Sequence, residues 1–279
     1  MKILYKSLLF CCLSLMVVHV HAQIEVMTYN LRLATERDGD NAWSKRRENV
    51  ASLIAYYQPA VIGVQEAMHE QMTYLEASLP AYKYIGVGRD DGATKGEYSA
   101  IFYDASKLKV ISSETFWLSE TPSKPSYGWG VSYRRICTYG QFLQLSTGDT
   151  IEIFNAHFDH EVEHARLNSA KLILKMIDKK RIQEHPIILT GDFNCTASDP
   201  PIVELKSELK LGISISATPF YGPHSTFNGF GKELQCNKLI DHVFVRNLKV
   251  TSYRHIDDRR PNGLWPSDHL PVLVTVSPK

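Results

Sequence analysis

Apolar and polar residues alternate with a period of two along most of this chain, and a helical period interrupts at three or four places. IEVMTYNLRL (24–33) alternates and reads as a strand. WSKRRENVASLIAYY (43–57) carries apolar residues at helical spacing and meets Pro59 just past its end, which predicts a helix. AVIGVQE (60–66) reads as a short buried strand, and MHEQMTYLEASL (68–79) as a helix stopped by Pro80. The middle is mostly strand: YKYIGVG (82–88), EYSAIFYD (97–104), KVISSETFWL (109–118), RRICTYGQFLQL (134–145) and TIEIFNAHF (150–158). A long helix over roughly 162–184 comes before Pro186, and PIILTGDFN (186–194) is a buried strand running into a loop. KLIDHVFV (238–245), KVTSYRHI (249–256) and LPVLVTV (270–276) complete the strands. Two sheets packed face to face with helices outside, a layered α/β (α+β) sandwich, is the fold this order predicts.

The first 22 residues stand apart from that pattern. Lys2 and Lys6 precede the apolar run LLFCCLSLMVV, and Val20 and Ala22 hold the small-residue positions before a cleavage site. This reads as a secretory signal peptide over 1–22, with Gln23 starting a single domain over 23–279. The run is short for a membrane span, so the expectation is a secreted or periplasmic protein with no stable membrane anchor after cleavage. Without that segment the chain has 29 Lys+Arg against 30 Asp+Glu, a net charge of −1. A balance this neutral does not advertise a long nucleic-acid track, though a small or locally held phosphate substrate suits it equally. The remaining cysteines, Cys137, Cys195 and Cys236, are odd in number and do not suggest a disulfide framework, though one bridge is open. No obligate protein partner is evident.

Candidate chemistry enters where polar residues fall. They sit at the ends of the strand-like segments: Asn30, Glu66, His157, Asp192, Asn194, Asp241, Asp268 and His269. GDFN (191–194) closes an apolar strand, with Asp192 and Asn194 two apart and on one face if the chain stays extended. Taken alone it reads equally as a turn. SDHLPV (267–272) is sharper, since it sets a carboxylate and an imidazole side by side before an apolar strand. Glu66 ends an apolar strand, where an unpaired buried carboxylate would be costly. Phosphodiesters are anionic and resist hydroxide, so their hydrolysis needs a hard cation, a base for water and an acid for the leaving oxygen. Magnesium, or alternatively manganese or calcium, takes oxygen ligands from one or two carboxylates, and Glu66 and Asp268 fit that role. Carboxylate-held histidines suit proton donation or charge stabilisation.

The ordered set TYN, QE, GEYSAIFY, NAHFDH, GDFN, IDHVFV and SDHLPV resembles the endonuclease/exonuclease/phosphatase superfamily, the deoxyribonuclease I-like enzymes, over essentially Asn30 to Val272. GEYSAIFY, FWLSETP, RRICTY and TFNGF look most like a secreted bacterial branch related to the deadenylase/nocturnin-type exonucleases. The resemblance implies a four-layer sandwich of two mainly antiparallel sheets with one site at the sheet rim. It implies that Glu66 is the principal metal ligand with Asn30 beside it, and that Asp268 completes the metal environment. Asp192 matches the residue that orients or deprotonates water, and Asn194 the one that holds phosphate and nucleophile. His269 matches the imidazole on the scissile phosphate, oriented by Asp241. His157 matches a candidate general acid, with Glu97 as its carboxylate partner. Arg135 and Arg166 are weaker matches for phosphate contacts and read equally as structural ion pairs. Phe227, with Trp129 and Tyr221, offers a ring that stacks on a base or sugar or simply packs its loop. The implied activity is metal-dependent hydrolysis of phosphate esters by in-line water attack. It is nuclease- or exonuclease-like first, with a sugar-phosphate or phospholipid-headgroup phosphatase or phosphodiesterase as the alternative.

Two other classes compete. HEVEH (160–164) is an HExxH string with Glu184 at a spacing resembling the third ligand of a zinc-protease group. With no Gly or Pro over 161–185, one unbroken helix would put Glu184 ~30 Å from His164, at ~1.5 Å per residue, too far to share a metal. A binding module with a dead site is disfavoured because no motif position is visibly lost. Asn194-Cys195-Thr196 is also a glycosylation sequon, taken as incidental because a glycan would block the site.

Overall fold

In the computed structural model, residues 23–231 and 238–279 are described. The expected signal peptide (1–22) and Cys236 lie outside them. Twelve strands run β1 Ile24–Asn30, β2 Val61–Gln65, β3 Tyr82–Ile85, β4 Ile101–Asp104, β5 Leu108–Trp117, β6 Ile136–Gln144, β7 Thr150–His157, β8 Ile187–Asp192, β9 Lys210–Leu211, β10 Asp241–Arg246, β11 Leu248–His255 and β12 Val272–Pro278. The helices are α1 Trp43–Tyr57, α2 His69–Ser78, α3 Glu163–Lys180, α4 Pro200–Leu205 and α5 Gly212–Ile215. One sheet has the order β11-β12-β1-β2-β4-β3, the other β5-β6-β7-β8-β10-β9. Each sheet has one parallel pair, β1 with β2 and β7 with β8, and its other pairings are antiparallel. Each parallel pair is bridged by a long helix, α1 or α3, as a parallel crossover requires.

Three apolar layers hold this together. Val50, Leu53 and Ile54 of α1 with Met72 and Leu75 of α2 pack on the outer face of the first sheet. Ala170, Ile173, Met176 and Ile177 of α3 pack on the outer face of the second. Val26, Val61, Ile153, Ile188, Val243, Val245 and Val274 fill the space between the sheets. The expected layered sandwich is therefore the observed fold.

Differences lie at element ends. The helix expected over 162–184 stops at Lys180, capped by Arg181 in a left-handed conformation. RRICTY enters its strand only at Ile136, which leaves Arg134 and Arg135 in the preceding loop. The short α4, α5 and β9 carry too few residues for a period to show. Cys137 and Cys195 are buried and unpaired. None of the helices among the described residues is long and apolar enough to cross a membrane.

Candidate active site

The inter-sheet layer changes character along its length. Val26 faces between the sheets and Met27 faces outward, so the period of two carries Thr28 and Asn30 inward. The same parity brings in Gly63 and Gln65 after Val61, Asn155 and His157 after Ile153, and Thr190 and Asp192 after Ile188. Asp241 precedes inward-facing Val243. The parallel pairs run toward this rim and the antiparallel partners start there: Asp241 stands opposite Asp192, and Thr28 opposite Val272 just beyond Asp268 and His269. Residues far apart in sequence meet because strand direction and side-chain parity coincide.

A buried polar staple underlies the site. The Asn155 amide donates to the carbonyls of Val64 and Ala100 across the sheets, each at 2.8 Å. Its oxygen accepts from Gln65 Nε2 at 2.7 Å and Thr190 Oγ1 at 3.0 Å. Unpaired, these groups would each cost roughly 1–3 kcal/mol of desolvation. The sheets approach so closely here that a Cβ on Gly63 would lie 2.2 Å from Thr190 Oγ1. Arg46 of α1 is a second fastener, with no exposure and bonds to the carbonyls of Leu31, Arg32, Asn41 and Pro266. It ties the loop after β1 to the loop before β12, although burial lowers its pKa to about 10.

Above the staple lies a cavity of about 450 Å³. Asn30 Nδ2 donates to Glu66 Oε1 at 3.0 Å and to Asp192 Oδ2 at 2.9 Å. Its oxygen accepts the Arg32 N–H at 2.9 Å. Asn30 therefore presents its N–H donors to the carboxylates, while its oxygen takes the Arg32 N–H on one of two lone pairs. Arg32, Glu66 and Asn194 all adopt positive φ, at 55°, 60° and 48°, a strained choice that clusters at functional sites. At Glu66 the left-handed turn re-aims the carboxylate after β2, and Leu33 N–H holds its Oε2 at 3.2 Å.

Asp192 sits among four partners. Its Oδ1 accepts Asn194 N–H at 2.9 Å, and its Oδ2 is 3.6 Å from His157 Nε2 and 3.7 Å from His269 Nε2. His269 Nδ1 pairs with Asp241 Oδ2 at 2.8 Å, as the sequence suggested. The TFNG loop clamps this corner: Asn228 and Gly229 N–H donate to Asp268 O, and the Phe227 ring meets His269 edge-on at 5.0 Å. Trp129 and Tyr221 lie away from the cavity, so Phe227 alone of the three expected rings lines it.

Burial and the neighbouring Asp241 charge push the Asp192 carboxyl up to about 7. Burial also raises Asp268 to about 6, against the pull of His269. Burial opposes the charge on His269, but Asp241 and Asp192 outweigh it and hold the ring well above its ordinary value. For Glu66, the upward push of burial is overcome by His269, the Asn30 hydrogen bond and Arg32, and its pKa is lowered. Four carboxylates, Glu66, Asp192, Asp241 and Asp268, thus face chiefly Arg32 and His269. Oxygen and nitrogen donors of Glu66, His157 and Asp192 lie within 4.8 Å of one another. This excess of negative charge on convergent hard donors fits a divalent cation. Asp268 lies on the other side of Arg32, whose guanidinium is 4.0 Å from Glu66 Oε2 and 3.9 Å from Asp268 Oδ2.

The opposite wall departs most from expectation. Glu97 is not the partner of His157: it forms a bidentate pair with Arg89, both bonds 2.8 Å, and that planar fork satisfies it. His157 Nδ1 instead faces Arg135 Nη1 at 3.2 Å. Burial, with Arg135 and Arg89 beside it, pushes His157 well below its ordinary pKa. Arg135 rather than Glu97 is thus its Nδ1 partner, and a donor there, together with burial, opposes a charged ring. Arg135 lines the cavity and also binds Asp159 at 3.3 Å and His160 Nδ1 at 2.8 Å. Arg166 lies outside the cavity lining and donates to Asp159 O at 3.0 Å, a structural contact at the start of α3. His160 precedes α3 while His164 lies on it, so the HExxH pair does not share a helix face. Arg32, Arg89, Tyr133 and Lys238 also line the cavity and were missed. The adjacent arginines in RRICTY and the Arg two places after Asn30 were the available signals.

The model of the Endonuclease/Exonuclease/phosphatase family matches residues 27–269, which include every one of these rim residues. The chain belongs to that family. It is a metal-dependent hydrolase of phosphate esters. A family protein of known structure from Bacteroides thetaiotaomicron is 34% identical with a TM-score of 0.88, covering 93% of this chain and 99% of its own. A mannosyl-6-phosphatase of the same organism is 36% identical with a TM-score of 0.86, covering 91% of this chain and 99% of its own. An uncharacterised protein of Acanthamoeba polyphaga mimivirus is 31% identical over 83% of this chain and 91% of its own length.

Proposed function

We propose that this phosphoesterase removes phosphate from phosphomonoesters of small polar molecules, using magnesium as its cation. The carrying observation is the bounded cavity, in which one carboxylate–imidazole rim faces a wall of already paired cations. The similarity to a mannosyl-6-phosphatase supports the monoester over the nuclease-like reading.

Glu66, with Asp192 in reach, would hold the cation, which neutralises phosphate charge when bound. Asp192, near pKa 7, takes the proton of the attacking water, and the Asn30 and Asn194 bonds keep it in place. His269, kept protonated by Asp241, donates from Nε2 to a phosphate oxygen as charge builds there. The attack is in-line, without a covalent enzyme intermediate: among the described residues lining the cavity there is no serine, threonine or cysteine.

The test is phosphate release from a panel of sugar and polyol phosphates, alongside single-stranded RNA and DNA, with magnesium, manganese or calcium. Cleavage of the oligonucleotides without phosphate release from any monoester would reject the reading. Trapping a phosphorylated residue during turnover would refute the direct attack. We also propose secretion or periplasmic export, on the signal-like pattern of residues 1–22; N-terminal sequencing of the exported protein, which should begin at Gln23, tests it.

A further inference from the structure

We infer that Tyr133, His160 and Glu161 form the leaving-group subsite and that they select a neutral, polyhydroxylated group such as a sugar. This rests on the monoester reading above. Tyr133 lines the cavity yet is 49% exposed, unusual for a large ring beside a buried site. Two contacts fix it: the Arg89 guanidinium lies 5.5 Å from its ring centroid, and the His160 ring is 6.0 Å away at a tilt of 33°. Arg89 is itself held by Glu97, so the platform has a rigid backing.

His160 takes a donated hydrogen from Arg135 on Nδ1, which leaves the proton of a neutral ring on Nε2. That nitrogen is 3.6 Å from Glu161 Oε1, and the other Glu161 oxygen accepts from Ser132 Oγ at 3.0 Å. Both side chains are about half exposed. The cavity lining therefore presents the Tyr133 ring and the His160 imidazole, with the half-exposed Glu161 carboxylate beside His160 just outside that lining. The cations of this wall, Arg89 and Arg135, are already neutralised by Glu97 and Asp159. A strand carrying further phosphates would meet the free charge of Glu161, which repels it. A sugar would lay its C–H face on the ring and give its hydroxyl hydrogens to the carboxylate.

The experiment compares kcat/KM for a hexose phosphate with that for glycerol phosphate, a monoester with no ring. Tyr133→Ala should lower the hexose-to-glycerol ratio about three- to tenfold, and Tyr133→Phe should hold it within about twofold. Glu161→Gln should lower the same ratio through KM, with kcat little changed. An unchanged ratio in Tyr133→Ala and Glu161→Gln would overturn the subsite. So would a Tyr133→Ala loss confined to oligonucleotide cleavage, which would make the ring a base platform. If the unmutated protein releases no phosphate from either monoester, the parent reading fails first, and that baseline tells the two failures apart.

Discussion

The two walls of the cavity are built from similar charged residues, yet they differ in what holds them. The rim wall carries Glu66, Asp192 and Asp268 at or near strand ends, with Asp241 buried against His269, and these carboxylates outnumber their cations and crowd one another. The facing wall carries Arg89 and Arg135 on loops, each closed on a carboxylate of its own, Glu97 or Asp159. Crowding leaves the first wall with unspent charge and shifted proton affinities, the condition for acid–base chemistry and cation binding. Pairing leaves the arginines of the second wall neutralised and suited to shape the cavity, although burial and the Glu66 charge still raise the Glu97 carboxyl to about 7. Both walls are buried, so burial alone does not distinguish a reactive group from a scaffolding one; the partner count does.

Substitutions on the two walls should therefore separate. Asp192→Ala should lower kcat by ~10²–10⁴-fold, the usual loss for an acid–base group, with circular dichroism unchanged. Near-normal turnover by the folded variant would remove Asp192 from the chemistry. Asp241→Asn leaves His269 in place but weakens what keeps it protonated, so kcat should fall by a smaller factor, about 10–10². Its pH–rate profile should lose activity at lower pH than that of the unmutated protein; an unshifted profile would break the pairing argument. On the other wall, Arg135→Met should reduce kcat/KM by only about tenfold, mainly through KM. A loss as deep as that of Asp192→Ala would show the walls to be equivalent.

The smallest effect concerns stability without metal. Asp192 at about 7, Asp268 at about 6 and the raised His269 all bind protons more tightly folded than unfolded. Their contribution is complete below the unfolded values, about 4 for carboxyls and about 6.5 for histidine, and is lost as pH rises through the folded ones. Below about pH 6.5 the buried His157, His242 and His255, held neutral in the fold, act the opposite way, so the melting temperature of chelator-treated protein should fall chiefly between about pH 6.5 and 8. Asp192→Asn should flatten that fall, and added magnesium should raise the curve most at the upper end. A chelated protein that grows more stable over this window would contradict the crowding of the rim.

Much of this was legible in the residues. Alternation and helix punctuation determined the sandwich, and the habit of polar residues closing apolar strands picked out Asp192, Asp241, His269 and Glu66. These are local properties: a period of two and a strand end are written within a few neighbours. Only the tertiary structure decided who holds whom. Glu97 was paired in expectation with His157, yet Arg89, eight residues earlier in the chain, takes both its oxygens. Asn30 turned its amide N–H groups to Glu66 and Asp192, and Arg166 turned away to a carbonyl of its own helix entrance. Arg46, the buried fastener, carries no sign in its sequence neighbourhood, since its partners are backbone carbonyls on loops up to 220 residues away. Strand patterns bring residues to a rim; which hydrogen bond each one makes there depends on every other group that arrives, and no short stretch of sequence contains that competition.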